Sequence, residues 1–374
     1  ESVSTDAPMH ASQLAAADGG DAIITPDAMR SLVGASNAVA NGRGVGVAII
    51  DSGVANLPDF EGRLLSFDCT NLALNTCKGA EASDPYGHGT HIAGVIAASG
   101  KQTGWVFKGV APRARLISLK VLDWTGAGAT SNVLKAIVFA INNRSKLGID
   151  VINLSLGHPI LESAATDPLV QAVELASRAG ITVVVSAGNY GLGVDTGIEA
   201  YAGILSPAYA PSAITVGATR TYGTASRQDD TVAPFSSRGP TWFEGFAKPD
   251  LVAPGMRQVS NLPANSSVLA NYPQWQYTNL PSGSYGTFGR LTGTSVSASV
   301  VSGVVALMLD QATPSNSSEC NSECRQSRAW MSPYVIKAIL EYTATPLSTG
   351  DLLTQGAGEV NAYGAMALLA AVDT

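Results

Sequence analysis

The chain has 374 residues, of which 45% are apolar and 14% are charged. This balance excludes intrinsic disorder of the chain as a whole, and the length suffices for a large core. The net charge of -7 argues against a surface that binds nucleic acid. The densest apolar stretch, residues 295–309, is interrupted by serines and is shorter than a bilayer span requires, so we expect no membrane partner.

Short β-branched runs alternate with helical patterns along the chain, which is typical of βαβ units around a mainly parallel sheet. The predicted strands are nearly all apolar, as strands with both faces covered are. The sequence therefore predicts an α/β fold. The strands are expected at residues 45–50, 115–121, 151–156, 182–185 and 213–216, and the helices at residues 90–98, 131–142, 168–178, 295–310 and 333–342.

No Pro- or Ser-rich linker divides the chain, which favours a single domain over residues 26–374. Residues 1–25 are rich in Ala, Ser and Asp and are expected to form a loosely attached N-terminal arm. The chain begins without a basic and then apolar leader, so it either had none or is a processed form.

Four cysteines lie in polar stretches, as two close pairs. We expect local disulfides, Cys69 with Cys77 and Cys320 with Cys324, and hence an oxidising, extracellular compartment. Free surface thiols and a four-thiolate zinc site are the alternatives, and the absence of any Cys-x-x-Cys spacing weakens the zinc alternative.

The first apolar strand runs into Asp51-Ser52-Gly53. This places a carboxylate at the carboxyl end of a strand, where open α/β sheets bind their ligands, although such an aspartate can also simply cap a turn. The glycines in residues 42–46 precede this strand, whereas a dinucleotide-binding turn follows its strand, so a nucleotide cofactor is excluded.

The stretch Gly87-His88-Gly89-Thr90-His91 opens a predicted helix. His88 lies between two glycines, which lets its ring reach outward. His91 faces the same side of the helix, but no Glu or Cys accompanies the two rings as a further metal ligand. We expect His91 to be a packed or hydrogen-bonded core residue.

Two further stretches carry candidate polar groups. A strand leads through Ser186-Ala187-Gly188 to Asn189, whose side-chain NH₂ can face a developing negative charge or can merely cap the turn. Gly293-Thr294-Ser295 opens a helix, where a serine is either an N-cap or a nucleophile with backbone N–H groups beside it.

Together, the order Asp, His, Asn and Ser with these flanks resembles the subtilase family of serine endopeptidases, from about residue 25 to Met366. The resemblance implies a three-layer subtilisin-like fold with helices on both faces of the sheet. The matching motifs also include residues 151–157, 235–240, 248–255 and 356–361.

The resemblance also implies roles. Ser295 attacks the scissile carbonyl, His88 takes and returns the proton, and Asp51 orients the imidazole. Asn189 and the Ser295 N–H form the oxyanion hole. The substrate binds as an added strand, and the residues implied for substrate binding are Leu122, Gly126, Gly128, Ser155, Leu156, Gly157, Ala187 and Gly188.

The first pocket is the one that receives the side chain of the residue before the cut bond. Its walls are expected to be residues 155–157 and 187–189. They carry no charge, so the sequence predicts an apolar or aromatic preference; the pocket floor is expected near residues 205–209. The helix after Ser295 departs from the family, reading Val-Ser-Ala-Ser where Met-Ala-Ser-Pro is usual.

No cofactor is expected for the chemistry, and structural calcium is an open alternative, with Asp195, Glu199, Asp229 and Asp230 as candidate ligands. The sequence thus predicts a secreted, monomeric endopeptidase that acts on proteins or peptides, with its own propeptide as a further partner. A catalytically silent peptide binder and a transpeptidase are the alternative functions.

Overall fold

A nine-stranded, mainly parallel sheet forms the middle layer of the part of the chain that the structure describes. The computed structural model describes residues 4–11, 22–71, 73–193, 196–224, 226–313 and 330–372. The strands of this sheet are β2 (Gly46–Asp51), β3 (Leu64–Asp68), β4 (Lys78–Gly79), β5 (Arg115–Lys120), β7 (Ile149–Leu154), β9 (Thr182–Ser186), β11 (Ile214–Arg220), β12 (Thr231–Val232) and β13 (Leu251–Pro254). Their order is β12-β11-β9-β7-β2-β5-β3-β4, with β13 paired to β11.

Side chains alternate between the two faces of the sheet, and each face packs in its own apolar core. The described helices are α1 (Pro26–Leu32), α2 (His88–Ala97), α3 (Thr130–Asn142), α4 (Arg144–Leu147), α5 (Pro168–Arg178), α6 (Ser267–Asn271), α7 (Thr294–Gln311), α8 (Pro333–Thr343), α9 (Leu352–Gln355) and α10 (Ala362–Val372). Along β2, Val47 and Ile49 lie in one core with α2 and α7, while Ala48 and Ile50 lie in the other with α3 and α5. The predicted α/β fold with helices on both faces is confirmed.

Helix α7 is the central helix of one layer. Its length and composition would suit a membrane span, but nearly all of it is buried within the protein. It packs on β7, β9, β11 and β13, and α2 packs beside it. The departure from the usual family sequence leaves the helix continuous, and the Ser299 hydroxyl donates to Val296 O at 2.6 Å.

Two smaller sheets complete the described strands. One is antiparallel, in the order β10-β8-β1-β6, and comprises β1 (Pro8–Ala11), β6 (Ala127–Ala129), β8 (Leu156–Pro159) and β10 (Leu205–Ser206). The other has the order β14-β16-β15 and comprises β14 (Gln258–Asn261), β15 (Gln276–Tyr277) and β16 (Phe288–Leu291).

Residues 8–11, within the expected N-terminal arm, form strand β1. Strand β1 pairs on one edge with β6 and on the other with β8. Its side chains alternate, so that Met9 and Ala11 are buried while Pro8 and His10 are exposed. The arm has an apolar face of period two, and this face holds it in place.

The structure forms the disulfide predicted between Cys69 and Cys77, with an S–S distance of 2.04 Å. Both residues are buried and pack in the same apolar core as β2 and α3, although their sequence neighbours are polar. Cys320 and Cys324, the second predicted pair, lie outside the described residues.

Candidate active site

The carboxyl end of β2 brings Asp51 against His88. Both side chains are fully buried, and His88 Nδ1 lies 2.8 Å from Asp51 Oδ1 and 2.9 Å from Oδ2. Burial alone lowers the pKa of His88, but the charge of Asp51 and its hydrogen bond outweigh burial and raise that pKa above its ordinary value. Because Nδ1 is engaged by the carboxylate, Nε2 is the nitrogen left for proton transfer. Within the described part of the chain, Nε2 has no hydrogen-bond partner.

A second buried carboxylate, Asp84, holds the start of α2. Its oxygens accept hydrogen bonds from the hydroxyls of Ser52 and Thr90 and from the backbone N–H groups of Gly87 and Thr90, at 2.7 to 2.8 Å. The Ser52 hydroxyl in turn accepts from Gly89 N, and Ser52 N donates to Asp51. Burial raises the pKa of Asp84, while these hydrogen bonds act in the opposite direction. The Asp84 network therefore fixes His88 relative to Asp51.

Lys120 adds a half-buried positive charge beside this network. Its ammonium donates to Ser52 O at 2.7 Å and to Leu122 O at 2.8 Å. Burial lowers the pKa of Lys120, and the charges of Asp84 and other nearby carboxylates oppose that shift. Sequence reasoning missed both Asp84 and Lys120, because neither belongs to a motif whose spacing identifies it.

The first turn of α7 carries Ser295, which is buried. Its hydroxyl donates to Ser155 O at 3.2 Å, and the Ser155 hydroxyl donates to Ser295 O at 3.0 Å. Helices α2 and α7 pack together and begin with His88 and Thr294 respectively. The structure therefore places the predicted base and nucleophile in the first turns of adjacent helices, with the serine hydroxyl bonded to Ser155 rather than to His88.

The side chain of Asn189 is oriented by Thr294, whose backbone N–H and hydroxyl both donate to Asn189 Oδ1 at 3.0 Å. The amide nitrogen Nδ2 lies next to Gly293, 3.1 Å from the position that a Cβ on Gly293 would take. The NH₂ group of Asn189, the predicted oxyanion donor, thus lies beside Gly293, which directly precedes the first turn of α7.

Strand β1 occupies the slot predicted for a substrate strand. Met9 lies opposite Gly128, and the Ala11 N–H donates to Gly126 O at 3.0 Å. On the other edge, His10 pairs with Gly157 and Ala11 with Leu156. Leu122 forms a bridge with Gly128. The segments that the resemblance assigns to substrate backbone here bind an extended segment of the same chain.

The residues just before β1 are attached to α3. The Asp6 carboxylate accepts from Ser131 N at 2.8 Å and from Ser131 Oγ at 2.9 Å. Thr130 donates to Ala7 O through both its backbone N–H and its hydroxyl. Asp6 thus satisfies a backbone donor in the first turn of α3, a position at which a negative charge is favourable.

The predicted pocket walls, residues 155–157 and 187–189, contact Leu205 from both sides. Leu205 N donates to Ala187 O at 3.1 Å, and β10 pairs with β8. A Cβ built on Gly188 would lie 2.8 Å from Leu205 Cγ, and one on Gly157 would lie 3.0 Å from Leu205 Cβ. Glycines at these two positions leave room for the Leu205 side chain.

His91 is a core residue, as predicted. It is fully buried, and its Nε2 lies 2.9 Å from Gln258 O. Burial lowers the pKa of His91 to about 3, so the ring is neutral.

The candidate calcium ligands do not converge in the part of the chain that the structure describes. Glu199 pairs with Arg238, Asp229 accepts from Thr224, and Asp230 is buried near Glu359. Asp195 lies outside the described residues. No group of three or more His, Cys, Asp or Glu that could hold a metal occurs among the described residues.

Residues 42–365 match the subtilase family. Serine protease AprX of Bacillus subtilis (strain 168) is 36% identical over 86% of this chain and 66% of that protein. Subtilisin Savinase of Lederbergia lenta is 33% identical over 88% of this chain and 94% of that protein. The crystal structure of fervidolysin from Fervidobacterium pennivorans, a keratinolytic enzyme related to subtilisin, aligns with a TM-score of 0.63 and 27% identity, over 88% of this chain and 43% of that one.

The fold is thus that of a subtilisin-like protein. The chain belongs to the subtilase family, as the resemblance in its sequence predicted. It spans 66% of AprX and less than half of fervidolysin.

Proposed function

We propose that this chain is a serine endopeptidase that hydrolyses peptide bonds of proteins bound to it as an extended strand. Strand β1, held between β6 and β8, is the observation that carries the proposal. This extended segment of the same chain pairs through its backbone on both edges, which supports the proposal. A strand in this register continues towards Ser155, whose carbonyl oxygen contacts the hydroxyl of Ser295.

In the proposed reaction, Ser295 Oγ attacks the scissile carbonyl carbon and its proton passes to His88 Nε2. The attack requires the serine hydroxyl to leave Ser155 O, and His88 Nε2 has no competing partner among the described residues. Asp51 keeps the proton of the neutral ring on Nδ1 and stabilises the imidazolium. The imidazolium then protonates the leaving amine, and water hydrolyses the acyl-enzyme by the same route in reverse.

Asn189 and the backbone N–H of Ser295 supply the proposed oxyanion donors. Thr294 fixes Asn189 through Oδ1, which leaves Nδ2 as the end of the amide that donates. One such donor is worth roughly 100- to 1,000-fold in turnover. The start of α7 adds a positive dipole end near the developing charge.

The test of this proposal is casein hydrolysis by Ser295→Ala and by a matched control, Ser299→Ala. Both serines are buried on α7, but the Ser299 hydroxyl donates to Val296 O within its own helix. We expect Ser295→Ala to lose about 10⁴-fold or more in rate and Ser299→Ala to keep most of its activity. Unchanged hydrolysis by Ser295→Ala would refute the proposed function.

The N-terminal segment is proposed to act as a propeptide. Residues 8–11 fill the proposed substrate slot and Asp6 attaches the segment to α3, so the cleft is closed to other substrates while the segment remains bound. The proposed maturation is a cut of the chain shortly after Ala11. Intact mass measurement is expected to give a shortened wild-type chain and a full-length Ser295→Ala chain; the same truncation in both would attribute the cut to another protease.

Extracellular location is proposed from the disulfide between Cys69 and Cys77, because such bonds persist in oxidising compartments. The net charge of -7 is consistent with protein substrates rather than nucleic acid as partners. A monomeric state and a structural calcium ion remain proposals from the sequence; size-exclusion chromatography tests the first, and melting with and without a chelator tests the second.

A further inference from the structure

Two backbone segments form the walls beside Ser295. Ser155 O accepts from the Ser295 hydroxyl, and Gly188 N donates to the Thr294 hydroxyl at 3.1 Å. A substrate strand in the register of β1 places its next residue opposite Ser155, because His10 and Ala11 already face Gly157 and Leu156. That next residue is the one before the cut bond, and its side chain must enter between the two walls.

The side chain of Leu205 fills the space between these walls. Its Cδ1 lies 3.1 Å from the position of a Cβ on Gly157 and also 3.1 Å from that of a Cβ on Gly188. A single methyl group therefore contacts both walls at once. Because Gly157 and Gly188 have no side chains, the Leu205 side chain occupies the space between the two walls.

Leu205 is held in this position by its backbone. Its N–H donates to Ala187 O on one wall, and it lies opposite Pro159 in the pairing of β10 with β8 on the other. The neighbouring Ile204 packs in the apolar core, whereas Leu205 is only 7% exposed yet belongs to neither large core of the described residues. Leu205 therefore lines the cleft instead of the protein interior.

We infer that Leu205 limits the depth of the first pocket and restricts the residue before the cut bond to a small, uncharged one, such as alanine or serine. This inference rests on the proposed endopeptidase function. The aromatic preference predicted from the sequence assumed an open space between uncharged walls. Leu205 fills that space, and in an apolar pocket each methylene changes kcat/KM by roughly 10- to 200-fold.

The experiment uses the chain after its own maturation, when residues 8–11 no longer close the cleft, and peptides that differ only in the residue before the cut bond, with Ala, Leu or Phe there. For the wild type we expect kcat/KM to be at least about 10-fold higher for the Ala peptide than for the Phe peptide. Leu205→Ala is expected to raise cleavage of the Leu and Phe peptides by about 10-fold or more and to leave the Ala peptide within about threefold.

The matched control is Leu347→Ala, because Leu347 is also 7% exposed but bonds to Gln355 rather than to the pocket walls. It is expected to leave the ratio among the peptides unchanged. A wild-type preference for Phe, or an unchanged ratio in Leu205→Ala, would overturn the role of Leu205 while the endopeptidase function stands. Cleavage of none of the peptides by the wild type would instead count against the proposed function itself.

Discussion

The backbone N–H of Ala11 donates a 3.0 Å hydrogen bond to the carbonyl oxygen of Gly126. Ala11 belongs to the N-terminal segment and Gly126 to a stretch implied to bind substrate backbone, so the chain supplies its own occupant of the cleft. The same segment buries Met9 completely and exposes His10. This contrast allows the energetics of the slot to be measured with peptides.

A synthetic peptide of residues 4–11 is expected to inhibit the matured chain competitively. Met9→Ala in the peptide should raise the inhibition constant by about 30-fold or more, because truncating a buried methionine costs about 2 kcal/mol or more. His10→Ala is the control and should change it less than about twofold, because that side chain is exposed. Equal effects of the two changes, measured by steady-state kinetics, would contradict binding in the register of β1.

The raised pKa of His88 predicts the acid limb of the pH profile. His88 must be neutral to accept the serine proton, so kcat/KM is expected to rise with pH through a midpoint above 6.5, the ordinary histidine value. Proton NMR of His88 in Ser295→Ala gives the midpoint directly. Asp51→Asn in that background removes the charge that raises the pKa and should lower the midpoint; an unmoved midpoint would assign the shift to another group.

Asp84→Asn is expected to lower both stability and kcat. The carboxylate accepts four hydrogen bonds: Oδ1 from Ser52 and Gly87, and Oδ2 from the backbone N–H and hydroxyl of Thr90. In asparagine, an NH₂ group replaces one of these oxygens and cannot accept from the donors that face it. The free energy of unfolding should fall by about 2 kcal/mol or more. Urea unfolding and the separate values of kcat and KM are the measurements.

Asp59→Asn is the control for Asp84, because Asp59 is also a buried carboxylate with several donors, among them Ser99 and Asn261. It should lower stability without a specific loss of kcat. A loss of kcat of the same size in both variants would mean that Asp84 acts through global stability and not by positioning His88.

The raised pKa of Asp230 predicts that the folded chain loses stability as the pH rises. Burial and the charge of Glu359 raise the pKa of Asp230 to about 8, whereas an aspartate in the unfolded chain titrates near 4. Between about pH 4 and pH 8 the folded chain therefore holds a proton on Asp230 that the unfolded chain has lost. The free energy of unfolding falls as the pH rises through this range. Asp230→Asn should reduce this slope, to which the raised pKa values of Glu359 and His88 also contribute, and make the chain more stable than wild type at pH 9.

The measurement for Asp230 is urea unfolding at pH 5 and pH 9 in the Ser295→Ala background, which prevents self-digestion. Asp229→Asn is the comparison, since the charge of Asp229 contributes less to the raised pKa of Asp230 than burial and Glu359 do, and its loss should leave most of the slope. A wild-type chain as stable at pH 9 as at pH 5 would show that Asp230 is ionised in the folded state.

The sequence predicted those strands and helices whose apolar residues recur with the period of the element. The strand of residues 45–50 and the helix of residues 168–178 agree with β2 and α5 to within a residue, because apolar alternation and an Asp-Pro start are local signals. Asp51 and His88 could be singled out because they stand in recognisable motifs at the ends of elements.

The positions of Asp84, Leu205 and β1 depend on the tertiary structure and could not be predicted in this way. Asp84 acts through the start of a helix that follows it, and Leu205 fills a gap between two segments distant in sequence. Strand β1 lies in an Ala- and Ser-rich N-terminal stretch, and the two strands that pair with it are more than 100 residues away in the sequence. Such contacts have no periodic signal in the chain itself.

The role of Ser295 as an activated nucleophile can be tested with a fluorophosphonate, which phosphonylates such serines with loss of fluoride, and the label can be mapped by mass spectrometry. We expect this role to give label on Ser295 in the wild type, none in Ser295→Ala, and loss of casein hydrolysis in step with labelling. Label absent from Ser295 in a folded, matured wild-type chain would contradict it.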